Sequence, residues 1–193
     1  LDRPSWIEIS ETQPEISTTD PERSAMGQGT HSYSNVQLSR YVAALANRGT
    51  VFELSLIDKM TDADGNLIRD FTPEVSQHLD FAQSTWDNVQ QGMRSVISDG
   101  SAKRIFTDLE VEIAGKTGTA EESKTRGNHA FFISYGPYAN PDICVTVNIP
   151  YGYSSANAAT IGKNVYRFYY GYTGLDQILN TGALEVSNVQ IGD

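Results

Sequence analysis

The chain has 193 residues, of which 39% are hydrophobic and 20% charged, with a net charge of −10 at neutral pH. That composition can build a packed core, and its acidic balance excludes the basic footprint that nucleic acid or an anionic membrane surface requires. The single cysteine, Cys144, excludes an internal disulfide framework, and no apolar run reaches the ~18 residues of a membrane-spanning helix.

The chain opens on Leu1, without an initiator methionine or signal peptide, and is expected to be a processed or excised piece. Residues 1–29 are rich in Ser, Thr, Pro and Glu and are expected to form an irregular connecting segment. Ser34 with Gln37 predicts a capping box that opens a helix. Its apolar face would be Leu38, Tyr41, Val42 and Leu45, and Gly49 would close it. Residues 54–60 and 67–71 flank Asp62-Ala63-Asp64-Gly65-Asn66 and predict a β-hairpin. Asp62, Asp64 and Asn66 also have calcium-loop spacing, but the position that should be glutamate is Pro73, so the hairpin turn is the better reading.

A second helix is expected over residues 85–98, boxed by Ser84 and Asp87, with Trp86, Val89, Met93, Val96 and Ile97 as its apolar stripe and Asp99-Gly100 as its stop. Three strands should follow: one through Val111 and Ile113 up to Gly115, an aromatic-rich one over 129–135, and one over 143–149 with clean period-two alternation. Cys144, on the last of these, reads as a small buried hydrophobe rather than a reactive thiol. A final helix near Ser155 would present Ala158, Ile161, Val165 and Phe168, and residues 171–193 would be a loose tail. Short links between the strands favour antiparallel neighbours. The expected fold class is therefore α+β, an antiparallel sheet with helices packed on it, over residues 1–170.

The chemistry concentrates in Ala114-Gly115-Lys116-Thr117-Gly118-Thr119-Ala120. Read as the end of a strand, it places a cation, two hydroxyls and two glycines together, a set suited to holding a carboxylate along a sheet edge. By period two, Thr117 and Thr119 project to one side and Lys116 to the other. Gly118 removes the side chain that would block a ligand backbone, and a free edge can accept an extended peptide as an added strand. The other candidates are weaker. His31, His78 and His129 have no metal-ligand spacing, so no metal or cofactor is expected. Glu121, Glu122, Lys124 and Arg126 read as a solvated loop tip.

Lys116-Thr117-Gly118-Thr119 resembles the KTG motif shared by penicillin-binding proteins and serine β-lactamases. Ser24-Ala25-Met26-Gly27-Gln28-Gly29 looks like the S-x-G-Q-G turn of class B penicillin-binding proteins, and Gln37-Leu38 with Ala44-Leu45-Ala46-Asn47-Arg48-Gly49-Thr50 like their QLA…LANGGT helix. Gly92-Met93 with Val96, then Ala130-Phe131-Phe132 with Gly136-Pro137, extend the likeness in the family's order from about residue 7 to residue 168. The resemblance implies a penicillin-binding D,D-transpeptidase that cross-links peptidoglycan stem peptides ending in D-Ala-D-Ala through an acyl-serine and is the target of β-lactam antibiotics. It implies that Lys116 holds the electrostatics of the site, that Thr117, Gly118 and Thr119 bind substrate, and that the Thr119 N–H forms half of an oxyanion hole. It also implies an extracytoplasmic place at the bacterial membrane, with a glycosyltransferase and cell-wall assembly proteins as partners.

The sequence departs from the pattern in two places. No Ser-x-x-Lys occurs in the 193 residues, so the nucleophile is expected to lie outside them. Ser155-Ala156-Asn157 fits S-x-N but follows KTG, and reads as a helix cap, as does Tyr33-Ser34-Asn35. Two other readings stand beside the transpeptidase: an extracellular β-lactam sensor that binds penicillin and signals, and a non-enzymatic module in which the motif is incidental. A rapidly hydrolysing β-lactamase fits less well, for want of an S-D-N or deacylating-glutamate context.

Overall fold

The computed structural model describes residues 33–180 except Ser123, together with Glu22. The expected connecting segment at 1–29, the S-x-G-Q-G turn and His31 lie outside the described residues, apart from Glu22. In chain order the elements are α1 (Asn35–Ala46), β1 (Thr50–Phe52), β2 (Lys59–Thr61), β3 (Leu67–Asp70), β4 (Val75–His78), α2 (Gln83–Ser98), α3 (Lys103–Phe106), β5 (Ala114–Ala120), β6 (His129–Gly136), β7 (Ile143–Ile149), α4 (Ser155–Tyr169) and α5 (Leu175–Asn180).

The core is an antiparallel sheet in the order β5-β6-β7, and period-two alternation divides its side chains between two faces. One face carries Phe132, Ala130 and Val145, which join Ile113, Phe106, Ala158, Ala159 and Tyr166 in the larger apolar cluster under α3 and α4. The other carries Ala114 and Tyr135, packed against Val42 of α1 and Met93 of α2. Helices therefore cover both faces.

The first helix opens as expected, with Ser34 and Gln37 satisfying each other's backbone N–H groups. It buries Val42 and Ala44 and leaves Tyr41 exposed, so its core face is rotated from the expected stripe. Gly49, at φ 100°, closes it. A Cβ there would lie 2.3 Å from the Leu79 carbonyl oxygen, so both the turn and the neighbouring backbone demand glycine. The hairpin forms as β2 and β3 and is shorter than expected. Residues 54–58 are not a strand, and Asp62 caps the turn by accepting from the N–H groups of Asp64 and Asn66 and from the Asn66 amide. Those bonds hold its carboxyl below the ordinary range. A second antiparallel pair, β1 with β4, was not foreseen; a stretch of three or four residues carries too little alternation to read.

α2 departs from its expected start. It begins at Gln83, and its N-cap, Ala82, makes no side-chain bond; the proposed Ser84–Asp87 box does not form. Asp87 instead receives Arg48 Nη1 at 2.8 Å, an ion pair to the α1 turn that competes with local capping. Gln90 is buried in place of Val89, because its amide donates to the carbonyls of Leu45 and Ala46 at the end of α1. α4 shows the largest rotation. Ala158 is buried as expected, but Ile161, Val165 and Phe168 face outward, and Ala159, Gly162 and Tyr166 take the core. A Cβ on Gly162 would meet the Phe132 ring at 2.6 Å, so close helix–sheet packing selected small residues over branched ones. The expected tail begins with α5, and residues 181–193 lie outside the described residues.

Candidate functional site

The KTG segment does not follow a strand; it is the strand. Pairing begins at Ala114 rather than at Val111 and runs Gly115↔Ser134, Lys116↔Ile133, Thr117↔Phe132, Gly118↔Phe131 and Thr119↔Ala130. The register puts Lys116 and Gly118 on the α1 side of the sheet and Thr117 and Thr119 on the α4 side, as their alternation predicts. β5 is an outer strand, with β6 on one side and no strand on the other among the described residues.

Lys116 is exposed and folds back on its own strand, its ammonium donating to the Thr117 carbonyl at 2.6 Å. Thr117 is 9% exposed, and its hydroxyl lies 3.3 Å from that of Ser101 in the turn between α2 and α3. Thr119 is half-buried. Gly115 is required by packing, since a Cβ there would sit 2.9 Å from the Phe132 ring. Gly118 is different: a Cβ would meet only the Phe131 Cβ, at 3.4 Å, an ordinary contact. Two open clefts of about 330 and 310 Å³ lie elsewhere, and neither is lined by Lys116, Thr117 or Thr119.

The remaining candidates sort as follows. The residue that caps α4 is Ser154, accepting from the Ala156 N–H, not Ser155, which is buried in the first turn. Asn157 is occupied with the Gly152 carbonyl at 2.8 Å. Cys144 is half-buried, and burial pushes its thiol up to about 11, so it is protonated and weakly nucleophilic at neutral pH. Buried hydroxyls cluster in the core: Tyr166 donates to Ser134, which donates to the Val145 carbonyl.

Two features escaped the sequence reading. Ser101, which follows the expected helix stop at Asp99-Gly100, was not singled out. His129 and Glu122 were treated separately, yet their side chains stand 3.0 Å apart beside the end of β5. The signal available for the second pair was the hairpin itself, which sets Ala120 opposite His129.

The sequence matches the family described as penicillin binding protein transpeptidase domain over residues 5–167. It is 30% identical over 168 residues to the peptidoglycan D,D-transpeptidase MrdA of Haemophilus influenzae, an alignment covering 75% of this chain and 25% of that protein. The fold superimposes on penicillin-binding protein 2B of Streptococcus pneumoniae with a TM-score of 0.72 at 24% identity, covering 83% of this chain and 28% of that one. It also matches the imipenem acyl-enzyme complex of penicillin-binding protein A from M. tuberculosis, with a TM-score of 0.62 at 25% identity, covering 72% of this chain and 31% of that one. The chain thus spans about a quarter to a third of the length of these relatives.

Proposed function

The chain belongs to the penicillin-binding protein transpeptidase family, and from that premise we propose that it is the C-terminal portion of a D,D-transpeptidase, supplying the substrate-binding strand but not the nucleophile. The observation that carries the reading is the placement of Lys116-Thr117-Gly118-Thr119 on the outer strand of the sheet, with the lysine exposed. Residues 1–170 form this portion of the domain. A Ser-x-x-Lys segment outside the 193 residues provides the attacking hydroxyl.

In the proposed reaction the serine oxygen adds to the carbonyl carbon of the penultimate D-Ala of a stem peptide. The peptide C–N bond breaks, the terminal D-Ala leaves with a proton, and the acyl-serine passes its acyl group to an amine of a second stem peptide. A β-lactam is attacked at its ring carbonyl in the same way but keeps its leaving nitrogen tethered. Lys116 supplies the positive field that favours the developing oxyanion and the substrate carboxylate. Thr117 and Thr119 bind the carboxylate, Gly118 lets the ligand backbone approach, and the Thr119 N–H donates to the oxyanion.

The acyl-enzyme captured in the M. tuberculosis relative supports the covalent step, and the D,D-transpeptidase name of the H. influenzae relative favours enzyme over β-lactam sensor. Among the described residues no helix is long and apolar enough to cross a membrane. The proposed extracytoplasmic anchor, and contacts with a glycosyltransferase and cell-wall assembly proteins, fall to polypeptide outside this chain.

The test uses the longer polypeptide that joins this chain to its Ser-x-x-Lys segment. Lys116→Ala should lower the rate of acylation by fluorescent penicillin by more than about a hundredfold, the size of one or two charge-assisted hydrogen bonds, with an unchanged melting curve. Near-normal labelling with normal melting would remove Lys116 from the site and with it the reading.

A further inference from the structure

We propose that His129 is a positioning residue for the end of the KTG strand, its neutral imidazole clasping the β5–β6 connection to the turn after β7 and loosening when it is protonated. The proposal rests on the reading of β5 as the substrate-binding strand. His129 pairs with Ala120, next to Thr119, so whatever steadies this end of the hairpin steadies the peptide unit assigned to the oxyanion.

The imidazole is bonded at both nitrogens. Nε2 lies 3.0 Å from Glu122 Oε2, and Nδ1 accepts the Tyr151 backbone N–H at 3.4 Å. An Nδ1 that accepts must be unprotonated, so the proton sits on Nε2 and is donated to Glu122. The carboxyl of Glu122 is held below its ordinary range, chiefly by this bond. The Tyr151 ring lies 4.9 Å from the imidazole, and Arg126 Nη1 donates to the Tyr151 hydroxyl at 2.9 Å. Asn128 accepts the Tyr153 N–H at 3.0 Å. Glu122, Arg126 and Tyr151 are the charged and titratable groups on the ring or its partners; Glu121, Lys124 and Tyr153 complete the set on the two connections.

The turn being held is strained. Tyr151 and Tyr153 have φ of 55° and 63°, in the left-handed region that non-glycine residues enter only when the surroundings compel them. Protonating Nδ1 turns the acceptor into a donor facing the Tyr151 N–H. The bond to Glu122 then becomes an ion pair, while the bond to the strained turn is lost. Acid thus breaks one side of the clasp and keeps the other.

The experiment follows the second-order rate of acylation by fluorescent penicillin between pH 5.5 and 8.5 in the longer polypeptide. His129→Gln is the informative variant, because its amide can donate to Glu122 and accept from Tyr151 yet does not titrate. At pH 8 it should match the wild type. As pH falls the wild type should drop about three- to tenfold relative to the variant, the size of one neutral hydrogen bond. His129→Phe, which stacks but cannot bond, should already be slower by that factor at pH 8. Taking the ratio of variant to wild type cancels every other titrating group. A ratio that stays flat from pH 8.5 to 5.5 overturns the clasp, even where loss of labelling in Lys116→Ala upholds the reading of the strand. Persistent labelling in Lys116→Ala overturns that reading itself.

Discussion

The two glycines of the KTG strand separate structural demand from functional demand. At Gly115 a methyl group would collide with the Phe132 ring at 2.9 Å and the Ile133 carbonyl oxygen at 3.0 Å. Gly115→Ala should cost about 1–3 kcal/mol of stability, read as a drop in melting temperature. At Gly118 the added methyl finds ordinary contact distance, so Gly118→Ala should melt within about 2 °C of the wild type. It should nevertheless slow acylation in the longer polypeptide, because the methyl occupies the path of a ligand backbone approaching β5. Unchanged acylation in Gly118→Ala would show that no ligand comes that close. Lys116, Thr117 and Thr119 could be proposed from the sequence because a cation, hydroxyls and glycines at strand spacing are a recognisable set. The Ser101 hydroxyl beside Thr117 was not, because Ser101 and Thr117 are 16 residues apart and meet only when the α2–α3 turn packs against β5.

Among the elements, α4 is fastened to the rest of the fold partly by charge. Asp108 receives Lys163 Nζ at 2.9 Å and Arg167 Nη1 at 3.4 Å, tying the segment after α3 to the outer side of α4. The Lys163 bond, above all, holds the Asp108 carboxyl below its ordinary value of 3.8. A depressed folded value means that the contribution is fully present above pH 3.8 and is lost as pH falls through the lower folded value. Asp108 is largely exposed, so Asp108→Asn should cost no more than about 0.2–1 kcal/mol at pH 7. The difference from wild type should shrink in melting curves as pH falls below 3.8 and through the lowered folded value, where the carboxyl loses its charge. A difference undiminished in acid would mean that Asp108 acts through packing. The same helix shows where element-level reading fails. Ile161, Val165 and Phe168 are the more hydrophobic stripe, yet Ala159, Gly162 and Tyr166 are buried, because closeness to Phe132 and the Tyr166–Ser134 hydrogen bond outweigh side-chain hydrophobicity. Capping was legible at α1, where Ser34 and Gln37 act within one turn, and not at α2, where Asp87 is taken by Arg48, 39 residues away in the chain.

For the whole molecule, two expectations concern the 193-residue chain taken by itself. It should acquire no covalent label from fluorescent penicillin on a denaturing gel, since an acyl transfer needs an activated nucleophile and the sequence holds no Ser-x-x-Lys. It should also elute larger than a monomer from a sizing column, because Ile161, Val165 and Phe168 are exposed on α4 and both outer strands of the sheet lack a strand partner among the described residues. A labelled band would reveal a nucleophile within these residues, and a sharp monomer peak with cooperative melting would show that this portion is complete as a folding unit. The sequence by itself determined the α+β class and the strands at His129–Gly136 and Ile143–Ile149, and it singled out KTG as a candidate, all of which depend on periodicity and motif within a few neighbouring positions. Only the tertiary structure decided that KTG lies within an outer strand, which face of α4 is buried, that β1 pairs with β4, and that Glu122, His129 and Tyr151 meet. Each of these depends on contacts between segments far apart in the chain, where closeness of approach and competition for hydrogen-bond partners override local pattern.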